Sequence, residues 1–198
     1  MSVTSGSVAI SRREQILDAA LRCFARYGYR RTSMEVIART ARMSRPALYQ
    51  YFTGKEEVFR AMGVRLLDAA LTGAERTRRS SGPVVDRLTA VLMVRLDLVR
   101  ELGGDDEFHR ELLAETASVA GDLLASFHLR LIAIVEETLA TATEALDFGG
   151  AAITPHDLAV LLLDAVTGIE GEAATADVRR LRVRQLATLV VRAVTVRR

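Results

Sequence analysis

Helical punctuation constrains this chain more than any other feature of its sequence. Apolar residues recur at spacings of three and four along most of its length, and no stretch sustains the alternation of a half-buried strand. Pro46, Pro83 and Pro155 each fall near an expected helix start, where a missing N–H costs nothing. Three hydroxyl–glutamate pairs at i, i+3 read as capping boxes: Ser11 with Glu14, Thr32 with Glu35, and Thr53 with Glu56. In such a box the hydroxyl takes one free amide at the helix start and the carboxylate takes another. The expected fold class is therefore all-α.

Read in order, Ser11 opens a helix whose apolar face is Ile16, Ala20, Cys23, Phe24 and Tyr27, with Gly28 as its C-cap. Thr32 opens a short helix to about Ala41. Arg42, Met43 and Ser44 make a tight turn, and Ser44 caps a second short helix to about Tyr51 with Pro46 in its first turn. A long helix runs from Thr53 to about Arg79, followed by a linker at Ser80–Gly82. Pro83 starts a helix ended by Gly103-Gly104. A short helix around Phe108 and Leu112 and a long one ended by Gly149-Gly150 come next. Thr154, Pro155 and Asp157 begin the last pair, about 155–171 and 176–196. Stretches of these two, Leu158–Leu163 and Leu186–Val191, are apolar nearly all round, so both sides need cover. A second copy of the chain would supply it.

Charge is unevenly placed. Residues 1–60 hold eleven basic and five acidic residues, a balance of +6; the rest hold sixteen basic and twenty acidic, a balance of −4. A basic head on a mildly acidic body suits a polyanion partner for the head. Arginine outnumbers lysine 26 to 1, which reflects coding bias as readily as chemistry. The apolar stretches fall short of the ~20 residues a membrane span needs. No secretory signal is visible and one cysteine forbids an internal disulfide, so a cytoplasmic protein is expected. No cofactor or metal is expected: Asp106 with His109 is only half of a carboxylate-bridged pattern.

Two short helices joined by a three-residue turn form a helix-turn-helix. In the second, Leu48 must face inward, which turns Arg45, Tyr49 and Gln50 outward, near Lys55. Arg pairs bidentately with guanine, Gln with adenine, and Tyr and Lys reach phosphate oxygens. Helix starts at Ser33, Ser44 and Gly54 present amides to phosphates. The alternative is that Tyr49 and Tyr51 merely pack a helical hairpin.

The run Thr32-Ser33-Met34-Glu35-Val36-Ile37-Ala38, then Ser44-Arg45-Pro46-Ala47-Leu48-Tyr49-Gln50-Tyr51-Phe52, then Lys55-Glu56-Glu57-Val58 resembles the DNA-binding domain of the TetR family of transcriptional regulators. The resemblance covers about residues 11–60. Arg42 departs from it, since the family often has glycine there. It implies about nine helices: an arm at 1–10, a helix-turn-helix domain at 11–56, and a regulatory and dimerisation domain at 57–198. It places Arg45, Pro46, Ala47 and Gln50 at or near base edges and Thr32, Ser33, Tyr49, Tyr51 and Lys55 at phosphates. It also implies a homodimer through the last two helices, where Leu158, Leu161, Leu162, Val166, Leu186, Leu189 and Val190 would meet the partner.

The resemblance further implies a small apolar effector within the body. Candidate contacts are Met62, Leu66, Met93, Leu96, Phe108, Leu112, Phe127 and Leu131, all of which equally suit plain core packing. Arg95 interrupts the apolar stripe of its helix and suits an anionic group, or snorkels outward. The expected function is a regulator, most simply a repressor, that binds a palindromic operator in double-stranded DNA and is released by its effector. Two other readings stand: a DNA-binding regulator without a small ligand, and an all-helical enzyme. The enzyme would need a nucleophile–base set, and the scattered histidines and the single core-facing Cys23 do not supply one.

Overall fold

The computed structural model describes residues 11–142, 146–148, 152–170 and 175–195 except 102–106; for 99–101, 107–117 and 170 only the backbone is described. The described residues hold eight helices: α1 (Arg12–Arg31), α2 (Met34–Thr40), α3 (Arg45–Tyr49), α4 (Lys55–Arg78), α5 (Val84–Glu101), α6 (Glu107–Ala140), α7 (Pro155–Glu170) and α8 (Ala176–Ala193). The fold is all-α. The expected count of nine is recovered if α6 is divided at Ala120, whose backbone (φ −140°, ψ 26°) breaks the helical run. The expected glycine stops at 103–104 and 149–150 lie outside the described residues. The long helix itself ends at Ala140, well before Gly149.

Local chemistry sets most boundaries. Ser11 accepts from the Glu14 amide at 3.2 Å. Glu14 spends its carboxylate on Arg65 of α4 at 3.0 Å. Gly28, at φ 75° and ψ 170°, breaks α1 where the C-cap was expected. Two expected caps are off by one. Ser33, not Thr32, caps α2, accepting from the Val36 amide at 3.3 Å. Glu57, not Glu56, accepts from the Thr53 amide and hydroxyl at 2.7 and 2.8 Å. Thr154 and Asp157 form a reciprocal pair at the expected start of α7.

The chain divides into two compact units. The first comprises residues up to 65 together with 102–121, and the second 66–101 with 122–198. The first therefore extends beyond the expected helix-turn-helix boundary at 56. Its core is Ile16, Ala20, Phe24, Ile37, Leu48, Phe52, Val58, Phe59 and Met62. Phe24 and Phe59 meet edge to face at 5.2 Å, and Tyr29 meets Phe59 at 4.9 Å.

In the second unit α5, α7 and α8 pack on one another. Leu88, Val91, Leu92, Leu162, Val166, Val183 and Ala187 are buried there. Within this unit Arg78 of α4 pairs with Glu137 of α6 at 3.1 Å, and Arg130 with Asp68 at 2.9 Å. Ser118–Ala140 corrects one expectation, being long and apolar enough to cross a membrane by length and composition. Only one face of it is core: Phe127, Leu131, Val135 and Leu139 are buried at helical spacing, and exposed Arg130 makes the ion pair just named.

Candidate nucleic-acid interface

The helix-turn-helix is built by one tight turn. After α2 the Met43 amide donates to the Ala38 carbonyl at 3.0 Å, and the Arg42 amide to the Arg39 carbonyl at 3.1 Å. This pair of bonds is the Schellman closure, which needs a left-handed residue between helix end and exit. Arg42 fills that place at φ 57°, where glycine is favoured. The turn is made in spite of the arginine. Ser44 then caps α3, accepting from the Ala47 amide at 3.3 Å.

Leu48 pins α3. Its side chain is 0% exposed and is the buried residue of that helix. The opposite face is thereby fixed outward: Arg45, Pro46, Tyr49 and Gln50 are exposed, and Ala47 is half-buried. The Arg45 guanidinium lies 5.6 Å from the Tyr49 ring centroid. A hydrogen bond from the guanidinium to the Tyr49 hydroxyl holds the Arg45 pKa above its ordinary value, aided by the charge of Glu35. Arg45 is thus a permanent cation held over an aromatic face one turn away. Ser33 and Ser44 are exposed, and each hydroxyl, having accepted one helix amide, keeps its own proton to donate to a phosphate oxygen. Tyr51 is exposed as well.

Two residues placed at phosphates by resemblance sit differently. Thr32 is 2% exposed, and its hydroxyl donates to the Gly28 and Cys23 carbonyls at 2.7 and 3.2 Å. It closes α1, and its side chain is withheld from any ligand. The Lys55 ammonium donates to the Tyr29 and Arg30 carbonyls at 2.9 and 3.5 Å and lies 4.2 Å from the Tyr29 ring centroid. It ties the start of α4 to the end of α1.

The basic balance of the head is expressed at its surface. All nine arginines between 12 and 45 are exposed. Two of its five acids are taken by Arg65 of α4: Glu14 at 3.0 Å and Asp18 at 2.7 Å. Burial works against the Arg65 charge, yet these two hydrogen bonds raise its pKa overall. The remaining exposed cations dominate the field. Of this set the motifs single out only Arg42 and Arg45; for Arg22 and Arg26 the i, i+4 spacing was the available signal.

The body candidates scatter. Met62, Leu96, Phe127 and Leu131 are buried. Leu66 lines a small pocket of about 240 Å³ with Ala69, Ala70, Gly73 and Val94. Met93 borders an open groove of about 710 Å³ with Asp86, Asp97, Asp177, Arg180 and Arg184. Arg95 is half-buried and has an interaction partner. The side chains of Phe108 and Leu112 lie outside the described residues, as does the Asp106–His109 pair. Among the described residues no group of three or more His, Cys, Asp or Glu side chains could hold a metal ion.

Of the residues expected at a partner copy, Leu158, Leu162 and Val166 are buried in the chain's own core. Leu161 and Leu189 stand 56% and 67% exposed, with Leu186 and Val190 half-buried.

The family model described as "Bacterial regulatory proteins, tetR family" matches residues 16–62. The chain is 35% identical to the HTH-type transcriptional repressor Rv1474c of Mycobacterium tuberculosis over 58% of its own length. It spans 65% of that relative, just under two thirds. It is 30% identical to the HTH-type transcriptional repressor AcnR of Corynebacterium efficiens, over 60% of this chain and 69% of that one. Among solved structures it is similar to SmeT, the repressor of the Stenotrophomonas maltophilia multidrug efflux pump SmeDEF. That match has a TM-score of 0.66 and 26% identity, over 93% of this chain and 90% of that one. SmeT has also been solved as a complex with triclosan.

Proposed function

The chain belongs to the TetR family of bacterial regulatory proteins, and from this premise we propose that it is a DNA-binding transcriptional repressor acting as a homodimer on a palindromic operator. The observation that carries this reading is the outward face of α3. Leu48 and the Schellman turn fix that helix so that Arg45, Tyr49 and Gln50 project together. Arg45 and Gln50 supply the forked donors and paired donor–acceptor that base edges demand, Ala47 offers a methyl to a thymine methyl, and the Ser33, Ser44, Tyr49 and Tyr51 hydroxyls suit phosphates. The named relatives are repressors, which supports the sign of regulation.

A two-fold pair of heads reads two half-sites one helical turn apart, ~34–36 Å. Exposed Leu161 and Leu189, on the two helices assigned to the partner, support a dimer. A small apolar effector would bind the body and favour a state whose heads no longer fit; equal affinity for both states would release nothing. SmeT's complex with triclosan supports that reading. The burial of Met62, Leu96, Phe127 and Leu131 keeps a second one in view, a regulator without a small ligand.

Operator affinity measured against salt tests the proposal. Phosphate binding by a basic head gives log K falling steeply and linearly with log[salt]. A flat response would refute it.

A further inference from the structure

The cations of the head are not confined to α3. Cys23 of α1 faces α2, its Sγ 3.3 Å from Thr40 Oγ1 and 3.9 Å from the Val36 carbonyl. Arg22 and Arg26 flank Cys23 on its solvent side, one turn apart from each other, and both are exposed. On α2 the exposed Arg39 lies beside Val36 and Thr40 on the helix surface, so it borders the same seam. From Arg39 the chain steps by threes through exposed Arg42 to Arg45 at the start of α3. These residues form a track of positive charge leading from the base-reading helix across α2 to α1.

The nearby acids offset only part of it. Asp18, one turn before Arg22, is held by Arg65. Glu35, one turn before Arg39, is the remaining acid, and part of its field falls on Arg45. Like charges one turn apart, as at Arg22 and Arg26, cost helix stability, and a bound polyanion removes that cost. Resting on the DNA-binding reading above, we propose that Arg22, Arg26 and Arg39 form a second phosphate-binding element. It takes backbone phosphates of the same duplex, outside the bases that α3 reads. A duplex is the occupant because the track is continuous with Arg45, and guanidinium forks repeated along it suit the phosphates of one backbone.

The test uses the full-length protein and the duplex it selects from a random-sequence pool, with and without flanking base pairs. The triple variant Arg22→Gln, Arg26→Gln, Arg39→Gln is compared with the parent. A triple Arg→Lys variant serves as the charge-preserving control, and helix content and melting temperature check the fold. On the flanked duplex the glutamine variant should lose about 0.9 of salt slope per contact, about 2.7 for each head and about 5.4 for the bound dimer, with base preference unchanged and the lysine variant close to the parent. On the trimmed duplex parent and variant should converge. An unchanged slope on the flanked duplex overturns the proposal, as does a glutamine variant with altered base preference. A parent that prefers no duplex sinks instead the DNA-binding reading.

Discussion

The Lys55 ammonium is bonded to the Tyr29 carbonyl at 2.9 Å while lying 4.2 Å from the centroid of that residue's ring. One side chain thus closes the end of α1 with a charged hydrogen bond and a cation–π contact together. The only lysine of the chain is a tie within the head. Lys55→Met should therefore cost the head about 1.5–3 kcal/mol, the worth of a charge-assisted bond with its aromatic contact. Chemical denaturation followed by helix content measures it. Unchanged stability with uniformly weaker DNA binding would return Lys55 to the phosphates.

Arg42 pays for a left-handed backbone that glycine adopts freely. Arg42→Gly should raise stability by about 0.5–1 kcal/mol, the relieved strain of ~1–2 kcal/mol being partly offset by the greater entropy of glycine in the unfolded chain. A thermal melt reads this as a rise of about 1–4 °C. A fall would mean that the arginine side chain contributes more than its backbone costs.

Glu57 accepts from the Thr53 amide and hydroxyl, which hold its carboxyl below the ordinary 4.5. A carboxylate depressed in the folded state stabilises above its unfolded pKa and loses that contribution as pH falls through the folded value. The melting temperature of the parent should fall faster than that of Glu57→Gln as pH drops below about 4.5, and the two curves should converge in strong acid. Parallel curves would show that the cap is not formed.

Leu161 and Leu189 are large, apolar and exposed. Burying one leucine is worth about 1.5–3 kcal/mol, and a two-fold interface counts each substitution twice. Leu189→Glu should then weaken self-association by at least about two decades in Kd. Sedimentation equilibrium of parent and variant should show dimer and monomer respectively; identical behaviour would place the interface elsewhere.

The legibility of the sequence followed the range of the interaction responsible. Ser44 with Pro46, Gly28, and Thr154 with Asp157 act through atoms a turn apart, and their elements begin or end where the sequence indicated. Thr32 did not, because its hydroxyl is claimed by carbonyls of α1 four and nine residues away, which leaves the capping of α2 to Ser33. The outward set on α3 was readable because burying Leu48 fixes the rest of a short helix. Lys55 was not, since its partners lie twenty-five and twenty-six residues back. Apolar residues of the last helices signalled burial but not against what: Leu162 serves the chain's own core and Leu189 faces outward.

Selection of bound duplexes from a random-sequence pool, run in parallel with parent and Arg45→Ala, addresses the role of α3 most directly. The parent should enrich a palindrome with half-sites one helical turn apart. Arg45→Ala should relax the preference at one symmetry-related base pair by about 1–3 kcal/mol while leaving the other positions intact. An unenriched pool, or the same enriched sequence at the same strength with and without the Arg45 side chain, would contradict a base-reading α3.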